Sequence, residues 1–140
     1  MPYTKVSHKN QSSIYEVSDE DIEFINTFYS PVVTHKSIPS SDEMRTLQRK
    51  MRSYAQTAGT DLRDIRENVE NAMEKYRKNI KLRNQEEVRI SVLDYEIIIP
   101  NNLKKYVDKH VLKDKDYDVY LDNEKTEIVI SWEKTVPVSK

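Results

Sequence analysis

The chain reads as an α+β protein. A helical N-terminal half, in three helices or in two with a long kinked one, is packed with a small β-α-β-β C-terminal half. Three observations predict this. Apolar side chains recur at helical spacing from Met44 to Ile80. From Val88 onward they alternate at a period of two. The last alternating stretch folds back on itself around Asp122-Asn123-Glu124-Lys125. The expected organisation is one domain over residues 1–140. It has an N-terminal arm at 1–17, a helical part at 18–83, the β-α-β-β part at 88–132 and a tail at 133–140.

The first helix begins after Ser18, a good N-cap. Asp19, Glu20 and Asp21 place negative charge in its first turn. Val17 is set to staple onto Ile22, and Ile22, Phe24, Ile25, Phe28 and Tyr29 form the apolar face. Pro31 predicts a stop near Tyr29 or Ser30. The loop SPVVTHKSIPS follows.

Ser40 and Glu43 form a capping box. The apolar positions then run Met44, Leu47, Met51, Tyr54, Ala58, Leu62, Ile65, Val69, Met73, Tyr76 and Ile80. Their mean step of about 3.6 residues is that of a straight helix. The charges argue for two helices instead. Asp42 and Glu43 precede Arg45, Arg49, Lys50 and Arg52. The acid-to-base order then restarts with Asp61, Asp64, Glu67, Glu70 and Glu74 ahead of Lys75, Arg77, Lys78, Lys81 and Arg83. Gly59, the chain's one glycine, sits between the two runs. The reading is that Gly59 breaks or kinks the helix and Thr60 caps the second part.

In the C-terminal half, Val88, Ile90 and Val92 alternate, then Leu93, Tyr95, Ile97 and Ile99 alternate out of phase. A bulge near Val92-Leu93 or a hairpin at Leu93-Asp94 would explain the shift. Ile97-Ile98-Ile99 suits a strand covered on both faces. Pro100 ends it, and Asn101 caps a helix carrying Leu103, Tyr106, Val107, His110 and Val111 on one stripe. A β-hairpin follows. Tyr117, Val119 and Leu121 face the same way as Ile128, Ile130 and Trp132, leaving Tyr120 and Val129 on the outer face.

Composition narrows the function. The net charge is -1, with 3 basic and 5 acidic side chains in residues 1–40 and 11 and 7 in residues 41–85. Global charge therefore names no partner, although the middle is basic. There is no cysteine, so no disulfide and no thiolate site. The longest apolar run is Ile97-Ile98-Ile99, far too short to cross a bilayer. The opening MPYTKVSHKNQSS lacks a secretory apolar segment, so the expected location is the cytoplasm. A single glycine excludes the glycine-rich phosphate loops, and no nucleophile elbow is present. His8, His35 and His110 show no ligand spacing. Asp114, Asp116 and Asp118 imitate the start of a calcium loop, but Val119 and Lys125 stand where glycine and glutamate are required. Asp94 and Glu96 alternate on a would-be strand and read as surface carboxylates. The expectation is a non-enzyme with no cofactor and no metal.

Two binding readings remain. The favoured one is a protein-binding protein, acting as an adaptor, assembly component or inhibitor, and itself a homo-oligomer. Its small, glycine-poor make-up suits an accessory protein of a phage or mobile element. Tyrosine is abundant, at 9 residues, and suits interfaces. The candidate contact residues are Tyr120 and Val129 on the hairpin and the stripe Met44, Leu47, Met51 and Tyr54. The alternative is a DNA-binding regulator. Ala55, Gly59 and Ile65 have the spacing of a helix-turn-helix, and the stretch 44–83 resembles that motif. In that case Arg45, Arg49, Lys50, Arg52, Lys75, Arg77, Lys78, Lys81 and Arg83 would meet phosphates. Thr60 departs from the motif, and the acidic face Asp61, Asp64, Glu67 and Glu70 opposes it.

Overall fold

The computed structural model describes residues 16–29, 38–113 and 115–133. The expectations for the N-terminal arm to residue 15, for Pro31 and its loop to residue 37, for Asp114 and for the tail from residue 134 lie outside these. The class is α+β, as expected. The chain forms two compact units, Met1–Asp61 and Leu62–Lys140.

In the first unit, α1 (Asp19–Asn26) is started by Ser18, whose hydroxyl oxygen accepts the Asp21 N–H at 3.1 Å. It ends at Asn26, before the expected Tyr29 or Ser30. The Thr27 hydroxyl donates to the Phe24 carbonyl at 2.6 Å and takes up a carbonyl the next turn would use. The capping box opens α2 (Ser41–Lys78) in both directions. Ser40 N–H donates to Glu43 Oε1 at 2.9 Å, and Glu43 N–H donates to Ser40 Oγ at 3.1 Å.

The expected break at Gly59 does not occur: α2 is one unbroken helix of 38 residues. Thr60 does not cap a new helix. Its hydroxyl donates back to the Gln56 carbonyl at 2.9 Å, within the helix. Gly59 answers to packing instead. A Cβ there would stand 2.5 Å from Val17 Cγ2, so only glycine lets the segment before α1 lie this close. The restarted charge order also has a local cause. Glu74 accepts from Arg77 Nη2 and from Lys78 Nζ, each at 2.6 Å. Such pairs are satisfied one turn apart and need no helix terminus.

After α2, the Asn79 side chain accepts the Lys81 N–H and starts a 3-10 turn, Ile80–Leu82. The second unit then adds β1 (Glu87–Ser91), α3 (Pro100–Tyr106), β2 (Asp118–Leu121) and β3 (Glu127–Ser131). The β-α-β-β order is the expected one. The sheet is antiparallel with order β1-β3-β2. Its register aligns Val88, Ile130 and Val119, and next to them Ile90, Ile128 and Leu121. These rows give the sheet an apolar face whose central members, Ile128 and Ile130, are fully buried.

Residues 93–99 correct the sequence reading. They form a turn at Leu93-Asp94 and a bent segment, with neither bulge nor hairpin nor second strand. Ile98 is buried but Ile99 is 58% exposed. Ile99 is the N-cap of α3, and Pro100 is its first residue. Proline fits there because its missing N–H would have had no helical partner. Asn101 therefore lies inside the helix. Tyr106 is followed by a π-helical turn, Val107–Val111, and His110 stacks on the Tyr106 ring with centroids 5.3 Å apart.

The hairpin turn is held by Asp122. Its Oδ1 accepts the N–H groups of Thr126 at 2.8 Å and Glu127 at 3.1 Å, and its Oδ2 accepts the Thr126 hydroxyl at 2.9 Å. Lys125 takes a left-handed conformation there, at φ 60°.

Candidate functional site

The expected contact residues divide. Val129 is not exposed. It is fully buried because β3 is the central strand, and Arg89 and Tyr120 flank it in register. Across that outer face the Arg89 guanidinium reaches Glu87 at 2.8 Å and Glu127 at 3.3 Å. Tyr120 is 45% exposed, so the proposed Tyr120–Val129 patch reduces to one ring. On α2, Met44 and Met51 are exposed and Leu47 is half-buried. Tyr54 belongs to an internal contact, stacked on Tyr29 with ring centroids 4.0 Å apart. Burial, with Tyr29 and Asp61 beside it, raises its hydroxyl pKa.

The helix-turn-helix does not form, because no turn exists at Gly59. The basic residues proposed for phosphate are on the surface, several of them occupied. Arg45 pairs with Asp42, Arg77 and Lys78 with Glu74, and Arg83 donates to the Ile80 carbonyl at 3.0 Å. Arg49, Lys50, Arg52, Lys75 and Lys81 are exposed. Asp94 and Glu96, which looked like strand carboxylates, lie exposed on the turn and bend. Among the described residues no group of three or more histidines or carboxylates is placed to hold a metal.

A concave site does form in the second unit, where the end of α2 meets the ends of β2 and β3. Its centre is Trp132, one residue past β3. Extending the β2–β3 register brings Tyr117 opposite it, with ring centroids 6.3 Å apart and planes at 87°. From α2, Tyr76 meets the indole at 5.9 Å and 86°. Both tyrosines thus stand at right angles to the indole, the edge-to-face geometry aromatic quadrupoles favour. Met73 fills the floor, and Arg77, Lys115 and Asp116 form the rim of a recess of about 490 Å³. A second recess of about 380 Å³ shares Met73, Arg77, Lys115 and Tyr117 and continues it toward Val69, Val111 and Leu112. The two make one groove.

The groove's rim is set by local chemistry. Hydrogen bonds from Lys78 and Arg77 lower the Glu74 carboxyl pKa to about 2, so Glu74 is ionised and pairs with Arg77 at the rim. The opposite wall is a short connection in which Lys113 and Asp116 are left-handed, at φ 52° and 72°. A side chain in that region is strained by about 1–2 kcal/mol. Lys113 sits just past the π-turn, where helix ends often require it. Asp116 lies between Lys115 and Tyr117 and turns both toward the groove.

Sequence reasoning had Tyr76 on the helical stripe and Tyr117 and Trp132 on the inner hairpin face. It did not bring them together, and it missed Lys115 altogether. Tyr117 and Trp132 pair across the hairpin itself; what the spacing does not specify is the contact from α2 that brings Tyr76 to the indole. No family model matches the chain, and no curated protein or solved structure matches it. No helix among the described residues is long and apolar enough to cross a membrane.

Proposed function

We propose that this is a non-catalytic, cytoplasmic protein that works by holding a segment of another protein in the groove beside Trp132. The observation that carries it is the gathering of Trp132, Tyr76 and Tyr117 with Arg77 in one recess. Tryptophan, tyrosine and arginine are the residue types that dominate protein-binding hot spots. The indole offers a rigid apolar surface, and the rim offers charge-assisted hydrogen bonds. Among the residues that line the groove, Arg77 and Lys115 stand beside Glu70, Glu74 and Asp116, so its rim is mixed in charge. This lining favours a partner segment with an apolar anchor and polar flanks of both signs. Holding such a segment suits an adaptor, an assembly component or an inhibitor. The absence of cysteine accords with a reducing compartment.

Trp132 is the chain's single tryptophan, so its fluorescence reports the groove directly. The test is a pull-down from lysate after nuclease treatment, comparing the wild type with Trp132→Ala and Lys115→Glu. A protein retained by the wild type and lost by both variants supports the reading, and titrating it should shift Trp132 emission. Equal retention by all three, or a bound fraction that disappears with nuclease, would overturn it.

A further inference from the structure

We propose that two copies of this chain associate antiparallel through the first half of α2, about a two-fold axis near Leu47. This surface lies in the first unit and is separate from the Trp132 groove. Met44 and Met51 are 41% and 44% exposed, and half-buried Leu47 lies between them on the same stripe. Their steps of three and four residues are those of a two-helix seam. The seam closes at Tyr54, which Tyr29 covers, and at buried Ala58.

Charge selects the occupant and its direction. Glu43 and Lys50 each stand one residue before a seam methionine, so they flank the seam on the same side, two turns apart. When two helices pair antiparallel, the same flank of each meets. Glu43 of one copy then faces Lys50 of the other, and the two-fold repeats the pair, while Met44 packs by Met51. When they pair parallel, opposite flanks meet. Glu43 and Lys50 would then face Gln48 and Ala55, which carry no charge. Only the antiparallel arrangement matches acid with base, and it is closed and isologous, so it stops at a dimer.

The chain has no cysteine of its own, so introduced thiols test the geometry cleanly. Sedimentation equilibrium of the full chain should show a monomer–dimer equilibrium that shifts with concentration. Glu43→Lys, or Lys50→Glu, should weaken the dimer roughly tenfold through its two ion pairs. The double exchange Glu43→Lys/Lys50→Glu should restore it. Under mild oxidation, Met44→Cys mixed with Met51→Cys should cross-link, whereas Met44→Cys alone should not. Met44, Lys50 and Met51 are exposed, whereas Glu43 also accepts the Ser40 N–H in the capping box, so Lys50→Glu is the cleaner single change. Far-UV circular dichroism checks that each variant keeps its helix. A monomer at every concentration, a double exchange no better than either single change, or self-cross-linking of Met44→Cys would each overturn the proposal.

Discussion

Val17 Cγ2 lies 2.5 Å from the point where a Cβ on Gly59 would stand. The chain's only glycine is therefore a contact surface, not a hinge. Replacing glycine by alanine in a helix normally gains about 1 kcal/mol. Here the added methyl meets a β-branched side chain that has little rotamer freedom. Overpacking of this kind costs about 1–3 kcal/mol. Gly59→Ala should thus lower stability in chemical denaturation despite its better propensity. In the Val17→Ala background the same change should be neutral or stabilising. A double-mutant cycle with no coupling between the two sites would contradict this contact.

Asp122 ties the hairpin to pH. Hydrogen bonds from the Glu127 N–H, the Thr126 hydroxyl and the Thr126 N–H, opposed by some desolvation, leave its pKa below the usual aspartate value. The folded state therefore binds the proton less well than the unfolded chain. Its stabilisation is complete above the unfolded value of about 3.9 and is lost as pH falls through the lower folded value. Asp122→Asn should be less stable than the wild type at neutral pH and should show a shallower loss on acidification. Thermal melts from neutral pH to about pH 2 measure both.

Lys125 holds a left-handed backbone in the same turn. A side chain pays about 1–2 kcal/mol there, whereas glycine pays only its extra chain entropy of about 0.5–1 kcal/mol. Lys125→Gly is expected to raise stability by up to about 1 kcal/mol without altering the hairpin register. Amide exchange at Thr126 and Glu127 should slow or stay unchanged. Faster exchange would contradict the account.

Tyr106 is almost fully buried, and its hydroxyl oxygen accepts a hydrogen bond from Arg66 Nη2 of α2. Arg66 also lies over the same ring, 5.8 Å from its centroid. Tyr106→Phe keeps the ring and removes the acceptor. A loss of about 1–2 kcal/mol is expected, since a charged donor loses this acceptor. Tyr106→Leu should cost more, because the Arg66 and His110 ring contacts disappear as well. Equal effects of the two changes would assign the role to the hydroxyl alone and contradict the ring contacts.

The elements whose origin is local were legible from the residues. Ser18 and the Ser40–Glu43 box cap their helices as their side chains dictate, and the alternation at Val88–Ile90 and Ile128–Ile130 reports real strands. Two of the misreadings arose where a distant group decides, and one at a helix start. Gly59 looks like a helix end until Val17 is placed over it. Ile97-Ile98-Ile99 looks like a strand until Pro100 is seen to begin a helix. Val129 looks exposed until β1 is known to pair with β3. The Trp132 groove has the same character. Its tyrosines were visible one by one and the hairpin pairs Tyr117 with Trp132, but only the contact from α2 brings Tyr76 to them.

The strand order has one further consequence. β3 reads Glu-Ile-Val-Ile-Ser, with Ile128, Val129 and Ile130 all fully buried. Such a stretch is what cross-β fibrils are built from when its edges are bare. Here both edges are occupied, on one side by β1 with its Glu87–Arg89 charges and on the other by the four residues of β2. β2 is joined to β3 through the turn that the Asp122 carboxylate organises. Protonating that carboxylate therefore loosens the guard on the strand most able to recruit its own kind. Acidification is expected to uncover an edge of β3 as well as to lower stability.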